Sequence, residues 1–469
     1  MIRIRPQTAR YLYDRHLQEV LRTTMATAQQ ARDEAVAEVE NWEELRNYAR
    51  QVKLHTLAHL GDYLEALADR ISSRGGRVFW AETAEDACNY VVETARRHSA
   101  RTVVKSKTML GEEIGINTAL QKAGVEPVET DLGEFIVQLC QEPPFHIITP
   151  AFHKTRQDVA RIFTQHLGQP LGEDPEELTA AARKALREKF LQADLGITGV
   201  NLAVADSGHL VVVENEGNAR LSLSAPPVHI ALMGIEKVIP RLQDLPVFLK
   251  LLTRSATGQR ITSYVNLIGG PRCPEEVDGP EEFHLVLVDN GRSRILADER
   301  KRETLACIRC GACLNVCPVY GRIGGHAYRT VYQGPVGAVL MPQLLGPEQV
   351  PEHPFASTLC EACRDICPVK IDIPRLLLEL RRELPRRYRR GDALAMRVWA
   401  WTFENAGRYA GISAWGRRLL RLFYRDGRLA LPLPVLGRWQ STRDLPRLPN
   451  KTFYEEFSNQ SADGGGNGQ

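Results

Sequence analysis

Apolar positions recur at helical spacing through Leu54, Leu57, Leu60, Leu64, Leu67 and Ile71, and the run stops at Gly75-Gly76. That period predicts an amphipathic helix with one buried face. The stretch before it, from about Ala26 to Glu44, is rich in Ala, Glu, Arg and Gln and reads as an exposed helical arm. Residues 1–73 are therefore expected to be helical. From residue 77 the pattern changes. Arg77–Trp80 and Thr102–Lys105 read as short strands on either side of a helix over 84–97. A helix over Glu112–Ala123, a strand at Val125–Glu129, a helix running to Cys140 and a strand at His146–Thr149 follow. Strands alternating with helices of this length predict βαβ units and a largely parallel sheet across 74–297. Two more helices are expected near 155–166 and 174–193. The pattern then turns strand-rich. Leu202–Ala205 and His209–Glu214 flank a hairpin turn at Asp206-Ser207-Gly208, and His229–Met233, Gln259–Leu267 and Phe283–Asp289 add further strands.

Composition removes several function classes. Of 469 residues, 43% are hydrophobic and 25% charged, as in a soluble globular chain. Sixty Lys and Arg stand against 57 Asp and Glu, and a net charge of +3 gives no reason to expect a nucleic-acid partner. No apolar run reaches the length of a membrane span, and the first twenty residues lack the apolar core of a secretory signal. The expectation is a cytoplasmic protein. The Rossmann GxGxxG, P-loop and GxSxG patterns are all missing, so nucleotide chemistry of those kinds finds no support.

The cysteines carry the chemistry. Seven of the ten lie between 307 and 367, a distribution that favours metal ligation over disulfides where thiols are held reduced. Cys307-x-x-Cys310-x-x-Cys313-x-x-x-Cys317-Pro318 is the bacterial ferredoxin run. A short looping segment places three thiolates on one cubane cluster, and the fourth cysteine, redirected by proline, reaches the other cluster of a pair. The second run, Cys360-x-x-Cys363-x-x-x-Cys367-Pro368, is one cysteine short, with Ser357 where a full copy would begin. Crossed ligation gives Cys307, Cys310, Cys313 and Cys367 to a first cluster and Cys317, Cys360 and Cys363 to a second. One iron is left without a cysteine. It is open whether that cluster is [4Fe–4S] with a non-cysteine or exchangeable ligand, is [3Fe–4S], or recruits Ser357 or a distant thiol such as Cys273. The three-cysteine [4Fe–4S] arrangement is preferred. Cys88 and Cys140 sit on apolar helical faces and read as core thiols. Two clusters in one module (residues 298–380) favour an electron relay, since one site would suffice to staple the fold.

Beyond the cysteines, residues 381–390 hold six arginines. The region to 460 interleaves basic residues with Trp399, Trp401, Phe403, Trp415, Leu419 and Phe423. Of three readings, docking of a partner subunit comes first and contact with a membrane surface second, ahead of a merely solvated helix face. Residues 461–469 form a polar, Gly-rich end expected to be disordered.

The chain resembles the lactate utilization protein B family of iron–sulfur proteins. The likeness is carried by Lys105-Ser106-Lys107-Thr108-Met109, by Glu129-Thr130-Asp131-Leu132-Gly133-Glu134, and by Pro150-Ala151-Phe152-His153. It is densest over 196–206 and at Val213-Glu214-Asn215-Glu216-Gly217-Asn218-Ala219-Arg220, and continues at 323–328 and 334–340. The resemblance implies a sugar-isomerase or CoA-transferase type of α/β fold followed by an α-helical two-cluster ferredoxin-type domain and a basic helical tail. It also implies a cytoplasmic electron-transfer subunit that works with two companion proteins in oxidising L-lactate to pyruvate. Such a chain is an oxidoreductase component rather than a stand-alone catalyst, and the missing cysteine at 357 is shared with the family.

The α/β domain offers candidate ligand-binding groups but no assigned catalytic residue. Lys105 and Lys107 end a strand, where α/β sheets place their ligands. Glu112 and Glu113 open a helix and read as capping charges. Glu214-Asn215-Glu216-Gly217-Asn218 is either a ligand loop or a hydrogen-bonded turn. His146, His153 and His326 could each serve as a ligand or an acid/base, but a lone histidine is more often structural, and that is the first reading. The competing reading is a small-molecule transferase or isomerase whose clusters are structural or redox-sensing; a redox-sensing regulator ranks third.

Overall fold

The computed structural model describes residues 1–168, 170–384, 390–425, 428–429, 449–452 and 457. The chain divides into two compact units, residues 1–384 and 385–469.

The first unit opens with four helices, α1 (Arg5–Leu12), α2 (Arg15–Ala37), α3 (Trp42–Ala58) and α4 (Leu60–Ser73). The expected apolar stripe is broken once, at His59, between α3 and α4. The break divides its cargo. Leu57 packs with the cysteine-bearing core, whereas Leu60, Leu64, Leu67 and Ile71 pack against the sheet. The stretch expected to be an exposed arm is not one. Leu17, Leu21, Met25 and Ala35 bury one side of α2, a stripe that starts upstream of its Ala- and Glu-rich part.

The α/β region then runs β1 (Arg77–Ala81), α5 (Ala84–Arg97), β2 (Thr102–Lys105), α6 (Met109–Ile114), α7 (Ile116–Lys122), β3 (Glu126–Glu129), α8 (Leu132–Leu139), α9 (Arg156–Leu167) and α10 (Pro175–Leu191). It continues with β4 (Leu195–Gly199), β5 (Leu202–Val204), β6 (His209–Glu214), α11 (Asn218–Ser224), β7 (Val228–Gly234), β8 (Val238–Ile239), α12 (Leu245–Thr257), β9 (Tyr264–Ile268) and β10 (Glu282–Val288). Six strands form a parallel sheet in the order β1-β10-β7-β4-β2-β3, and β8-β5-β6-β9 form a smaller mixed sheet.

Three departures from the sequence reading have physical causes. β4 sits mid-sheet between β7 and β2, but Gly196 and Gly199 lower its strand signal. Gly196 is needed there: a Cβ would lie 1.7 Å from the Ser222 carbonyl oxygen. The helix expected over 112–123 starts earlier, under a Thr108 cap, and breaks at Gly115, whose φ is 73°. His146–Thr149 is a bend and not a strand. His146 Nδ1 accepts the N–H groups of Ile148 (3.1 Å) and Thr149 (3.2 Å), which takes both donors away from any ladder.

His229 on β7 is fully buried, and its Nε2 meets the Thr198 hydroxyl of β4 at 2.8 Å. Burial, with His284 nearby, pushes its pKa down to about 3. The folded state holds this ring neutral, so its contribution to stability is complete above about pH 6.5. It declines as pH falls from there toward 3, at up to about 1.4 kcal/mol per pH unit. We expect the unfolding midpoint to drop between pH 7 and 5, and His229→Gln to flatten that slope. An unchanged slope in the variant would contradict the assignment.

The rest of the first unit is helical: α13 (Arg292–Ala297), α14 (Ala312–Asn315), α15 (Tyr320–Ile323), α16 (Gly334–Leu345), α17 (Ala362–Asp365) and α18 (Ile373–Glu383). The second unit contains α19 (Arg390–Phe403) and α20 (Ala406–Arg421). Trp399, Trp401, Phe403 and Trp415 are each more than half exposed there, Leu419 is 41% exposed and Phe423 is half-buried. Residues 385–389 of the arginine run and the tail 461–469 lie outside the described residues. No described helix is long and apolar enough to cross a membrane.

Candidate iron–sulfur site and the adjoining cavity

The two cysteine runs fold as local copies of one another. In the first, Arg309 and Gly311 both have positive φ, 61° and 76°, and α14 starts directly after. In the second, Leu359 and Glu361 take 55° and 69°, and α17 starts at the equivalent place. These paired left-handed residues turn the loop so that successive cysteines face one side. A side chain at Gly311 would meet Ile148 at 2.8 Å, so only glycine fits where the first loop presses on the 146–149 bend.

Cys307, Cys310, Cys313 and Cys367 line one cavity together with apolar Ile147, Ile308 and Leu376. Cys317, Cys360 and Cys363 interact electrostatically among themselves. Burial pushes the Cys310 and Cys313 thiols well up, Cys363 to about 12 and Cys367 to about 11. Cys360 differs: it is exposed, and the Thr358 side chain beside it holds its thiol below the ordinary value. Four soft sulfur donors around a dry cavity fit an iron–sulfur cluster, whose iron supplies the positive charge that buried thiolates lack. Cys88 is buried and bonds the Ile114 carbonyl, and Cys140 is half-buried at the end of α8. Cys273 lies exposed in the loop after β9, its N–H donated to Glu276 at 2.6 Å.

The N-terminal helices hold the second run in place. Arg46 of α3 donates to the carbonyls of Cys367 (2.8 Å) and Asp365 (2.6 Å), and Arg50 reaches the Lys370 carbonyl. Gln29 of α2 donates to the Asn315 carbonyl beside the first run. Nothing local in the sequence marked these contacts, which span some three hundred residues.

A second cavity, about 380 Å³, opens at the carboxyl ends of the parallel strands. Its wall comes from Ser106–Leu110 after β2, Gly199–Asn201 after β4, Gly234, Glu236 and Lys237 after β7, and Arg309 of the first cysteine loop. Ile147 stands in the walls of both cavities. Lys107 lines the cavity and donates to the Ile148 carbonyl, whereas Lys105 is fully buried behind it. Lys105 Nζ lies 2.8 Å from Glu129, 3.5 Å from Glu112 and 3.8 Å from Glu134. Burial opposes its charge, but the three carboxylates outweigh burial and raise its pKa. Burial, then Glu129, pushes the Glu134 carboxyl well up.

Thr108 supplies the side-chain cap of α6, Glu112 stands in its first turn as a charge favourable to the helix dipole, and Glu113 is instead drawn into a buried network. Glu113 takes both Arg292 Nη groups at 2.8 Å, and Arg292 Nε donates to Glu236 at 2.7 Å. Arg309 reaches the other Glu236 oxygen at 3.2 Å. One buried network therefore joins the sheet to the cysteine loop. The Glu214–Asn218 segment is a hydrogen-bonded turn that also faces the cavity. Glu214 accepts the N–H groups of Ala219 and Arg220 at 2.8 Å, while Glu214, Asn215, Glu216 and Asn218 line the cavity. His153 pairs with Glu142 at 2.8 Å, and His326 bonds the Pro143 carbonyl at 2.9 Å.

A parallel sheet with a cavity at its carboxyl edge, fused to a doubled cysteine loop, defines a two-cluster iron–sulfur protein of the electron-transport class. Residues 64–288 match the LUD domain family and residues 303–371 the 4Fe-4S dicluster domain, which gives the chain two [4Fe–4S] clusters. The chain is 44% identical to lactate utilization protein B of Bacillus licheniformis over 94% of its own length and 93% of that protein's. It is 43% identical to the uncharacterized electron transport protein YkgF of Escherichia coli over 94% of each chain. It is 45% identical to lactate utilization protein B of Bacillus cytotoxicus over 92% of this chain and 91% of that one. The chain belongs to the lactate utilization protein B family.

Proposed function

We propose that this chain is the electron-relay subunit of a system oxidising L-lactate to pyruvate. Cys307, Cys310, Cys313 and Cys367 hold the first cluster, and Cys317, Cys360 and Cys363 hold the second. The carrying observation is the cavity that gathers Cys367 of the second run with three cysteines of the first. When bound, the clusters supply one-electron transfer at potentials tuned by hydrogen bonds and solvent exposure. The residues set those conditions unequally. The first cysteine set is enclosed by apolar side chains that exclude water, and Arg46 fixes Cys367 through its carbonyl. The second set carries exposed Cys360, so its side of the loop is where a partner can approach closely.

The companions are two further proteins of the same system, one donating and one accepting electrons. The exposed aromatic residues of α19 and α20 support docking of one of them, with contact at a membrane surface as the other use of that surface. The setting is the cytoplasm. The parallel sheet with its carboxyl-edge cavity supports a fold of the sugar-isomerase and CoA-transferase kind.

Stepwise reduction followed by EPR tests this reading. Both clusters are expected to reduce and reoxidise reversibly in one-electron steps, with iron content retained over repeated cycles. Clusters that lose iron on reduction, or that cannot be reduced, would favour a stapling role and return weight to the transferase or isomerase reading.

A further inference from the structure

In the cavity at the sheet edge, Lys237, Arg292 and Arg309 stand together beside two carboxylates, Glu236 and Glu113. Glu236 is shared by Arg292 and Arg309, and Glu113 is taken by Arg292. Arg309 is nine-tenths buried, yet its Nη1 has no hydrogen-bond partner. Lys237 lines the same cavity and makes no hydrogen bond or ion pair among the described residues. A buried donor without an acceptor loses about 1–3 kcal/mol, and more when charged, so Arg309 Nη1, with half-buried Lys237 beside the same open cavity, calls for an anion. Another part of the lining is acidic, with Asp131, Glu214 and Glu216 around Lys107. That wall repels a polyanion and favours a ligand with one negative charge and neutral polar groups.

We propose that this cavity binds a small organic monoanion through its carboxylate, held by Lys237 Nζ and Arg309 Nη1. Hydroxyl or oxo groups of the ligand face Thr108 and Asn201, which line the same space. Arg309 lies between Cys307 and Cys310, so the bound acid abuts the loop of the first cluster. The site rests on the relay reading only for its probes, L-lactate and pyruvate. Its failure would leave the clusters' iron content and reversible reduction untouched.

The test is calorimetric titration of the anaerobically purified, iron-loaded full chain with L-lactate, pyruvate and inorganic phosphate. One saturable site for at least one of the two acids is expected. Lys237→Met should weaken it at least tenfold with iron and sulfide per chain unchanged, and Lys237→Arg should restore most of it. A ligand-induced change in the EPR spectrum of the reduced first cluster should accompany binding. No saturable site for either acid would overturn the proposal, showing that the two cations serve only to balance cluster charge. So would a site that takes phosphate alone, or binding that Lys237→Met leaves unchanged.

A separate observation concerns the second cluster. Ser357 occupies the place of Cys307 in the repeated loop, and the two side chains make the same contact. Cys307 Sγ accepts the N–H of Arg309 at 3.4 Å, and Ser357 Oγ accepts the N–H of Leu359 at 3.0 Å. Arg309 and Leu359 share the same left-handed conformation. The geometry points to Ser357 Oγ as the oxygen ligand of the iron that the cysteines leave open. Ser357→Cys is expected to keep both clusters and shift the potential of the second alone. Ser357→Ala should speed loss of one iron from the second cluster under mild oxidation, seen as faster growth of a three-iron EPR signal. Equal rates in wild type and Ser357→Ala, with an unshifted potential in Ser357→Cys, would overturn it.

Discussion

Cys310→Ser should lower iron from about eight to about four per chain and spare the EPR signal of the second cluster. The expectation follows from which sulfurs share a cavity. Cys310 lies with Cys307, Cys313 and Cys367, enclosed by apolar side chains where neither water nor a spare cysteine can replace it. Cys363→Ser should do the converse, because Cys363 interacts with Cys317 and Cys360. The first variant removes a sulfur from a dry cavity, the second from a set that reaches the surface at exposed Cys360. Loss of both clusters to the same extent in either variant would break the crossed ligand scheme.

Arg292→Ala should destabilise the first unit by about 3–5 kcal/mol, the usual effect of removing one partner from a buried pair. Arg292 is 1% exposed and is the only group bonded to both Glu113 and Glu236 among the described residues. Its loss leaves Glu113 with the Tyr332 hydroxyl and Asn290, and leaves Glu236 with Arg309 alone as a salt-bridge partner. Two carboxylates would then be buried with too little positive charge. Arg292→Lys should recover little, because an ammonium cannot span Glu113 bidentately while also reaching Glu236. The measurement is the thermal midpoint of the iron-loaded chain, expected to fall by on the order of 10 °C. A fall of under about 2 °C would show the network to be dispensable.

The chemistry was legible in the sequence because ferredoxin ligation depends on local spacing. Cysteines two and three residues apart must share a loop, whatever surrounds them. Five of the six strands of the parallel sheet were legible for a similar reason, as short apolar runs between helices. What escaped depends on distant partners. Glu113 and Arg292 meet across 179 residues, and Arg46 and Cys367 across 321. No period or spacing in a single chain encodes such pairs. β4 escaped because Gly196, which lets the Ser222 backbone approach, and Gly199, which lets Thr108 approach, also weaken its strand pattern. The cavity was half visible: Lys107 and the Glu214–Asn218 segment stood out, but Lys237, Arg309 and Asn201 gave no local signal. His146 was visible as a residue, yet its bend depends on its own ring accepting two backbone N–H groups.

The most direct test of the account is iron and acid-labile sulfide per chain after anaerobic purification, with EPR of the reduced and oxidised forms. The account predicts about eight irons, about eight sulfides and two magnetically interacting signals on reduction. About four irons with a single isolated signal would contradict it. The chain would then hold one cluster, and the second cysteine run would be structural.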